Sequence, residues 1–156
     1  MDLPRFEALM VDLTAKVAGR PLDADLAEWL NREIPADSPT FTAIAQACRD
    51  AVASGWMCSR EHAGIKYGRV IKAGPTTHGF SVDVVDMDEI AGGHHVHPQG
   101  EIDMVIPLAG DAKFDGHGAG WCVYPPGSAH TPTVAGGRAF VLYLLPQGAI
   151  QFTPAA

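Results

Sequence analysis

One short stretch of the chain carries three side chains that can bind a metal ion, His95, His97 and Glu101. On an extended strand successive side chains point to opposite faces, so the two histidines project to the same side with Cα atoms about 6.6 Å apart. The intervening Pro98-Gln99-Gly100 has the composition of a turn, after which the chain would return as an antiparallel strand. The spacing therefore predicts that the Glu101 carboxylate lies beside the two imidazoles.

A fourth candidate ligand, His130, follows the rigid turn Pro125-Pro126-Gly127 just beyond a predicted strand end. Three imidazoles and one carboxylate form a mixed nitrogen and oxygen site that suits Zn, Fe, Mn, Ni or Cu and leaves positions open for water or substrate. Strand alternation turns His94 away from this group. An ordinary exposed polar loop is the plainer interpretation of so many histidines. Because two separate segments supply one ligand set, we predict one divalent metal ion held by all four residues.

The spacing of these ligands resembles the two motifs of the cupin family. His-x-His-xxx-Glu spans residues 95–101, and Pro-x-Gly-xx-His spans residues 125–130. One difference is that Gly110 lies nine residues after the glutamate, whereas cupins usually show a glycine about seven residues after it. The resemblance implies a barrel with the metal site inside, and it leaves open a cupin that has lost its metal.

The residues after Cys58 alternate between polar and apolar types, with glycines between the alternating segments. Turns are predicted at Gly74-Pro75, Gly110-Asp111 and Gly136-Gly137. Nine segments read as strands: 65–71, 79–85, 93–97, 101–108, 112–114, 120–124, 130–134, 139–145 and 149–152. So many short strands indicate a mainly β protein, an antiparallel sandwich or jelly roll, which is the architecture to which cupins belong.

The first 58 residues show a helical pattern instead. Apolar residues recur at intervals of three and four in three segments: 4–17, 23–34 and 38–55. Asp23 and Ser38 are suited to the N-cap position. Three short helices make a marginal domain by themselves, so we expect them to pack on the barrel or on a partner subunit. The chain is therefore divided into a helical segment, 1–58, and a cupin barrel, 59–156.

Composition excludes several classes of protein. The chain has 156 residues, 47% of them hydrophobic, and a net charge of -7, which argues against nucleic acid or an anionic membrane as a partner. Its cysteines, Cys48, Cys58 and Cys122, form no close pair, so we expect buried small hydrophobic residues instead of a disulfide framework. With no signal peptide or membrane span visible, we expect a cytoplasmic protein.

A closer resemblance is carried by four segments: 79–85, 100–108, 114–130 and 142–146. They are similar to the small cupin family that contains 4-hydroxylaminobenzoate lyase, an enzyme of nitroaromatic degradation. The resemblance implies a carbon–nitrogen lyase that converts 4-hydroxylaminobenzoate and water into 3,4-dihydroxybenzoate and ammonia. Two alternatives remain open. One is another metal-dependent cupin enzyme, a dioxygenase or isomerase acting on a small metabolite; the other is a non-catalytic cupin that binds a small ligand.

Three further residues are candidates for the chemistry. Asp103 has the strand parity of Glu101, so both carboxylates should face one cavity, where each is a catalytic candidate. Tyr67 and Arg69 share one face of an early strand, where the phenol would donate a proton and the guanidinium would bind the substrate benzoate. A solvated carboxylate, and an exposed cation beside a packed tyrosine, are the plainer interpretations. His117 lies in a glycine-rich loop and is expected at the surface.

The strand that begins at Glu101 is apolar on its other side. Ile102, Met104, Ile106 and Leu108 alternate away from the glutamate, and an apolar face of this kind needs a cover. A homodimer would supply it from a second copy of the chain, and the chain's own helices are the alternative. We expect a homodimer that binds a small molecule.

Overall fold

The computed structural model describes residues 1–153. The helices are α1 (Leu3–Val17), α2 (Ala24–Glu33) and α3 (Pro39–Ala53). The strands are β1 (Arg60–His62), β2 (Ile65–Ile71), β3 (Phe80–Ala91), β4 (His95–His97), β5 (Glu101–Phe114), β6 (Gly120–Tyr124), β7 (Ser128–His130), β8 (Thr133–Pro146) and β9 (Gln151–Phe152). A short 3-10 turn, Pro75–Thr77, lies between β2 and β3.

The helices begin where their capping residues predict. The Asp23 carboxylate accepts a hydrogen bond from the Leu26 N–H at 3.0 Å, and the Ser38 hydroxyl accepts one from the Phe41 N–H at 3.2 Å. Each bond satisfies a backbone donor that has no partner inside the helix. In the part of the chain that the structure describes, no helix combines the length and the apolar composition that a membrane crossing needs.

The strands form two antiparallel sheets. The larger has the order β1-β2-β3-β8-β5-β6 and the smaller has the order β7-β4-β9. One cavity is lined by side chains from both sheets, so they are the two walls of a single barrel. This arrangement confirms the jelly roll of the cupin type that the alternating segments predicted.

The three helices cover the outer face of the larger sheet. Trp121 of β6 donates its backbone N–H to the Asn31 side chain of α2 at 2.9 Å and its indole N–H to the Ile34 carbonyl at 2.8 Å. One buried core joins helix and sheet residues: Phe6, Met10, Leu30, Ile44, Val82, Ile102, Met104, Ile106 and Leu142. The apolar face that suggested a homodimer is therefore covered by the chain itself, and the homodimer stays a prediction without that support. The division at residue 58 likewise stays a prediction.

Two of the predicted turns are wrong, because β5 and β8 each continue past their glycines. Gly110 lies inside β5 and Gly137 inside β8, where the two residues pair with each other across a shift of register. A Cβ on Gly137 would lie 1.9 Å from the Ala109 carbonyl oxygen. The glycines therefore let two long strands approach closely at a bulge, instead of ending the strands.

The close approach at this bulge leads to a stability prediction. Gly137→Ala should lower the free energy of unfolding by roughly 3 kcal/mol, because the added methyl group meets backbone that cannot move aside. Gly118→Ala is the matched control, since a Cβ there meets no atom within 4 Å and its effect should be small. Urea unfolding of both variants measures the difference, and equal stabilities would contradict the proposed contact.

The cysteines behave as the sequence indicated. Cys48, Cys58 and Cys122 are all free and buried. Burial raises the pKa of Cys48 and of Cys58 to about 12, so their thiols stay protonated and are poor nucleophiles. They pack as small hydrophobic side chains.

Candidate metal centre

The four predicted ligands come from three strands of the barrel. His95 and His97 lie on β4, Glu101 opens β5, and His130 ends β7 directly opposite His95. Gly100 makes the tight return between β4 and β5 with a φ of 88°, a conformation that favours glycine. As a result, one ligand atom from each of the four residues lies within 4.8 Å of the others.

The distances inside this cluster are those of groups aimed at one point. His95 Nε2 lies 3.0 Å from His97 Nε2 and 3.1 Å from His130 Nε2. Glu101 Oε2 lies 3.2 Å from His97 Nε2 and 3.9 Å from His130 Nε2. His95, His97 and Glu101 are buried and His130 is nearly so. The cluster is thus shielded from solvent on most sides.

The other nitrogen of each ring is held by a separate partner. His95 Nδ1 donates to the Gly93 carbonyl at 2.9 Å, His130 Nδ1 donates to Asp115 at 2.6 Å, and His97 Nδ1 contacts the Ser128 hydroxyl at 3.1 Å. A ring that donates from Nδ1 presents the lone pair of Nε2 to the cluster, and burial lowers the pKa of His95, which favours the neutral ring.

The lone pairs of the histidine Nε2 atoms point toward one another, and this arrangement indicates a site for a cation. Unprotonated nitrogens about 3 Å apart repel each other unless a cation lies between them. Three imidazole nitrogens with one carboxylate are a donor set that binds divalent transition metals, and second partners of this kind orient metal ligands in proteins. The residues present therefore fit a metal ion, and the donor set suits several ions equally.

Asp115 is a part of the centre that the sequence did not reveal. Its carboxylate accepts hydrogen bonds from His130, from the Tyr124 hydroxyl at 2.5 Å and from the Thr133 N–H at 2.9 Å. Burial opposes its ionisation, but these bonds outweigh burial and lower its pKa. The residue belongs to the glycine-rich loop after β5, whose direction no periodic pattern fixes.

A cavity of about 320 Å³ adjoins the candidate ligands between the two sheets. His95, Glu101 and His130 form part of its wall. The rest of the wall is mainly apolar and aromatic: Ile65, Tyr67, Val85, Met87, Phe114, Pro132, Val141, Tyr143, Ile150 and Phe152. The volume and lining suit a small, mostly apolar ligand such as one aromatic ring.

Two of the other candidates face this cavity. Asp103 lines it beside Glu101, is 1% exposed, and neither of its carboxylate oxygens has a hydrogen-bond partner in residues 1–153. Burial, together with the charge of Glu101, raises its pKa well above the usual range. Tyr67 also lines the cavity and is 37% exposed at its mouth. The structure thus brings both residues to the cavity, while their catalytic roles stay predictions.

Arg69 has a different environment from the one its strand position suggested. Its guanidinium is paired with the buried Asp83 carboxylate at 3.1 Å and also donates to the Gly148 carbonyl at 3.4 Å. It is absent from the described residues that line the cavity. The structure therefore does not bring Arg69 to the cavity, and its role in binding a benzoate stays a prediction without structural support.

Three other side chains near the site have defined positions in the folded chain. Tyr143 of β8 pairs directly with Asp103 of β5. The two side chains therefore point to the same face of the sheet, and both line the cavity. His94 points away from the candidate ligands, as predicted, and its Nδ1 lies 2.6 Å from the hydroxyl of Thr153, next to β9. His117 is exposed, as predicted.

Comparison with known proteins agrees with the site. Residues 8–152 match the family described as PnbB: 4-hydroxylaminobenzoate lyase. The 4-hydroxylaminobenzoate lyase of Pseudomonas putida is 35% identical over 92% of each chain, and that of Nocardioides sp. (strain LMS-CY) is 35% identical over 90% of each chain.

A solved RmlC-like cupin protein from Ralstonia eutropha overlaps 62% of this chain and 64% of its own, with 14% identity and a TM-score of 0.45. The fold is shown by the two sheets described above, and the family is shown by the sequence matches. Those matches extend over nearly the whole chain, and they show that this protein is a lyase-like enzyme of the 4-hydroxylaminobenzoate lyase family.

Proposed function

We propose that the protein is a metal-dependent lyase that converts 4-hydroxylaminobenzoate and water into 3,4-dihydroxybenzoate and ammonia. The observation that carries the proposal is the convergence of three histidine Nε2 atoms and one carboxylate at the wall of a small apolar cavity. The names of the two relatives supply the substrate, and the cavity suits a single substituted ring.

The proposed reaction consumes one water molecule overall and needs no external oxidant. The N–O bond breaks with its electron pair on oxygen, which takes up a proton and leaves as water. The ring has then lost two electrons and accepts a hydroxyl group from water. The carbon–nitrogen bond is hydrolysed at the imine level by a second water molecule, and the nitrogen leaves as ammonia.

His95, His97, Glu101 and His130 would hold one divalent ion, with Fe, Mn, Zn and Ni as candidates. Such an ion, when bound, supplies Lewis acidity toward the hydroxylamino oxygen and toward water. The histidine rings stay in one orientation because their Nδ1 partners fix them.

The remaining side chains of the cavity orient the ring. Val85, Met87 and Val141 form an apolar wall against which an aromatic face packs, and this wall limits the entry of water. The Asp103 carboxyl lacks a partner although it is fully buried, an arrangement that costs folding free energy. A ligand group that hydrogen-bonds to Asp103 would remove this cost, so we assign it to contact with the hydroxylamino end.

Ammonia release without oxygen tests the proposal. The metal-loaded protein should release one ammonia per 4-hydroxylaminobenzoate at the same rate in air and under anaerobic conditions, because the reaction requires no O₂. 4-Aminobenzoate is the matched control, since it lacks the N–O bond and should release none.

Two other outcomes would be informative. Absence of ammonia with every metal supplement would contradict the lyase and favour another cupin enzyme or a ligand-binding protein. Full turnover by metal-stripped protein would leave the lyase and remove the role of the metal.

A further inference from the structure

One further basic side chain of the cavity wall, His62, has no part in the proposed chemistry. Among the described residues that line the cavity there is no lysine or arginine, and its two acidic groups are the candidate ligand Glu101 and Asp103 beside it. The hydroxylamino end of the substrate is assigned to this end of the cavity, in contact with Asp103. The carboxylate in the para position of the same ring should therefore point away from the candidate ligands.

The hairpin of β1 and β2 forms the edge of the larger sheet that is remote from β5 and β6. Tyr67 on β2 is level with Val105 of β5 through the pairs Tyr67↔Val85, Val85↔Val141 and Val141↔Val105. Tyr67 is thus three strands away from β5 in the sheet. It is level with a position of β5 that follows Glu101 by four residues. The same cavity is lined by His62 and Tyr67 of this hairpin and by the candidate ligands His95, Glu101 and His130.

Register places two basic residues on the cavity side of this hairpin. His62 lines the cavity and pairs with Ile65, and Arg60 pairs with Tyr67. Residues directly opposite each other in an antiparallel pair point to the same face, so Arg60 has the same orientation as Tyr67. Arg60 and His62 are both exposed. His62 lines the cavity and Arg60 does not, but the long side chain of Arg60 can extend toward the opening beside His62.

The other cations near the barrel are unsuitable. Arg69 is paired with Asp83, and Arg138 is paired with Asp86 at 2.7 Å. Lys66 alternates to the opposite face of β2. Arg60, in contrast, takes part in no ion pair with any residue from 1 to 153. It is thus the guanidinium that remains available for an anionic ligand.

We propose that Arg60 and His62 bind the carboxylate of an aromatic acid at the mouth of the cavity. This inference rests on the proposed function for the identity of the acid, and it replaces Arg69 with Arg60 as the arginine that recognises it. An arginine binds a carboxylate through paired, charge-assisted hydrogen bonds, which gives selectivity for acids over neutral ring compounds.

Binding of two unreactive compounds tests this site independently of turnover. 4-Aminobenzoate and 4-aminobenzamide have nearly the same shape and differ in charge. Calorimetry with the full-length protein should show that the acid binds about tenfold more tightly than the amide. In the double variant Arg60→Met/His62→Gln the acid should bind no better than the amide. The preference should persist in metal-stripped wild-type protein, because the hairpin and not the metal recognises the acid.

Lys66→Met is the matched control, since it removes one positive charge from the same hairpin on the other face and should leave the preference unchanged. Equal or undetectable binding of acid and amide by the wild-type protein would overturn the inference. So would a preference that survives in the double variant, is removed by Arg69→Met alone, or disappears with the metal.

Ammonia release and acid preference together distinguish a failure of the proposed lyase function from a failure of the proposed carboxylate site. If wild-type protein releases no ammonia but its acid preference depends on Arg60 and His62, the lyase is wrong and the carboxylate site stands. If ammonia is released while the double variant keeps the preference, the lyase stands and the carboxylate site is wrong.

Discussion

Replacing His97 with alanine is expected to abolish stoichiometric metal binding. His97 is fully buried, and its Nε2 lies within 3.2 Å of both His95 Nε2 and Glu101 Oε2, so its loss opens the centre of the ligand cluster. Loss of groups that merely orient ligands already lowers metal affinity by about 10- to 100-fold, and loss of a ligand should cost more than that. Elemental analysis of protein purified without a histidine tag measures the occupancy.

His94→Ala is the matched control for this experiment. It removes the neighbouring imidazole, which contacts Thr153 instead of the cluster, and it should leave metal occupancy unchanged. A circular dichroism spectrum equal to that of the wild-type protein would show that the His97 variant is folded. Full metal occupancy in folded His97→Ala would refute the four-ligand centre.

Glu101→Gln is expected to lower kcat/KM for 4-hydroxylaminobenzoate by about 100-fold or more, since removal of one electrostatic group from an active site costs on this order. Glutamine has nearly the shape of glutamate but lacks its charge, and Glu101 is the anionic member of the ligand set. The change should therefore weaken metal binding as well as activation of the substrate. Steady-state kinetics in excess metal, together with elemental analysis, separates these two effects.

The control makes the same chemical change at another place. Glu28 is exposed on α2, remote from the cavity, so Glu28→Gln should retain wild-type kinetics. If Glu101→Gln is as active as this control, Glu101 has no part in the reaction.

The sequence by itself predicted the cluster of candidate metal ligands, because its arrangement depends largely on short-range geometry. Alternation along a strand places His95 and His97 on one side, and a turn of three residues returns Glu101 beside them. The starts of two helices were equally local, since Asp23 and Ser38 cap the helices that directly follow them. Features of this kind need no knowledge of distant contacts.

Only the tertiary structure decided which charged groups are available to a ligand. Arg69 has the strand parity of a cavity residue, but the neighbouring strand places Asp83 opposite it, and the ion pair occupies its guanidinium. Asp115 reaches His130 through a loop whose course depends on contacts remote in sequence. Likewise, only the folded chain shows that His62 lines the cavity and that Arg60 lies opposite Tyr67.

The same distinction explains the bulge and the covered sheet. Gly110 and Gly137 belong to dipeptides that are typical of turns, yet they allow two strands to approach closely. The sequence of either segment alone does not show which strand pairs with it. The alternation of Ile102 and Met104 showed that a cover was needed, but not that α1, α2 and α3 supply it. Local patterns determine which face of an element is apolar, whereas the partner of that face is decided by the packing of the whole chain.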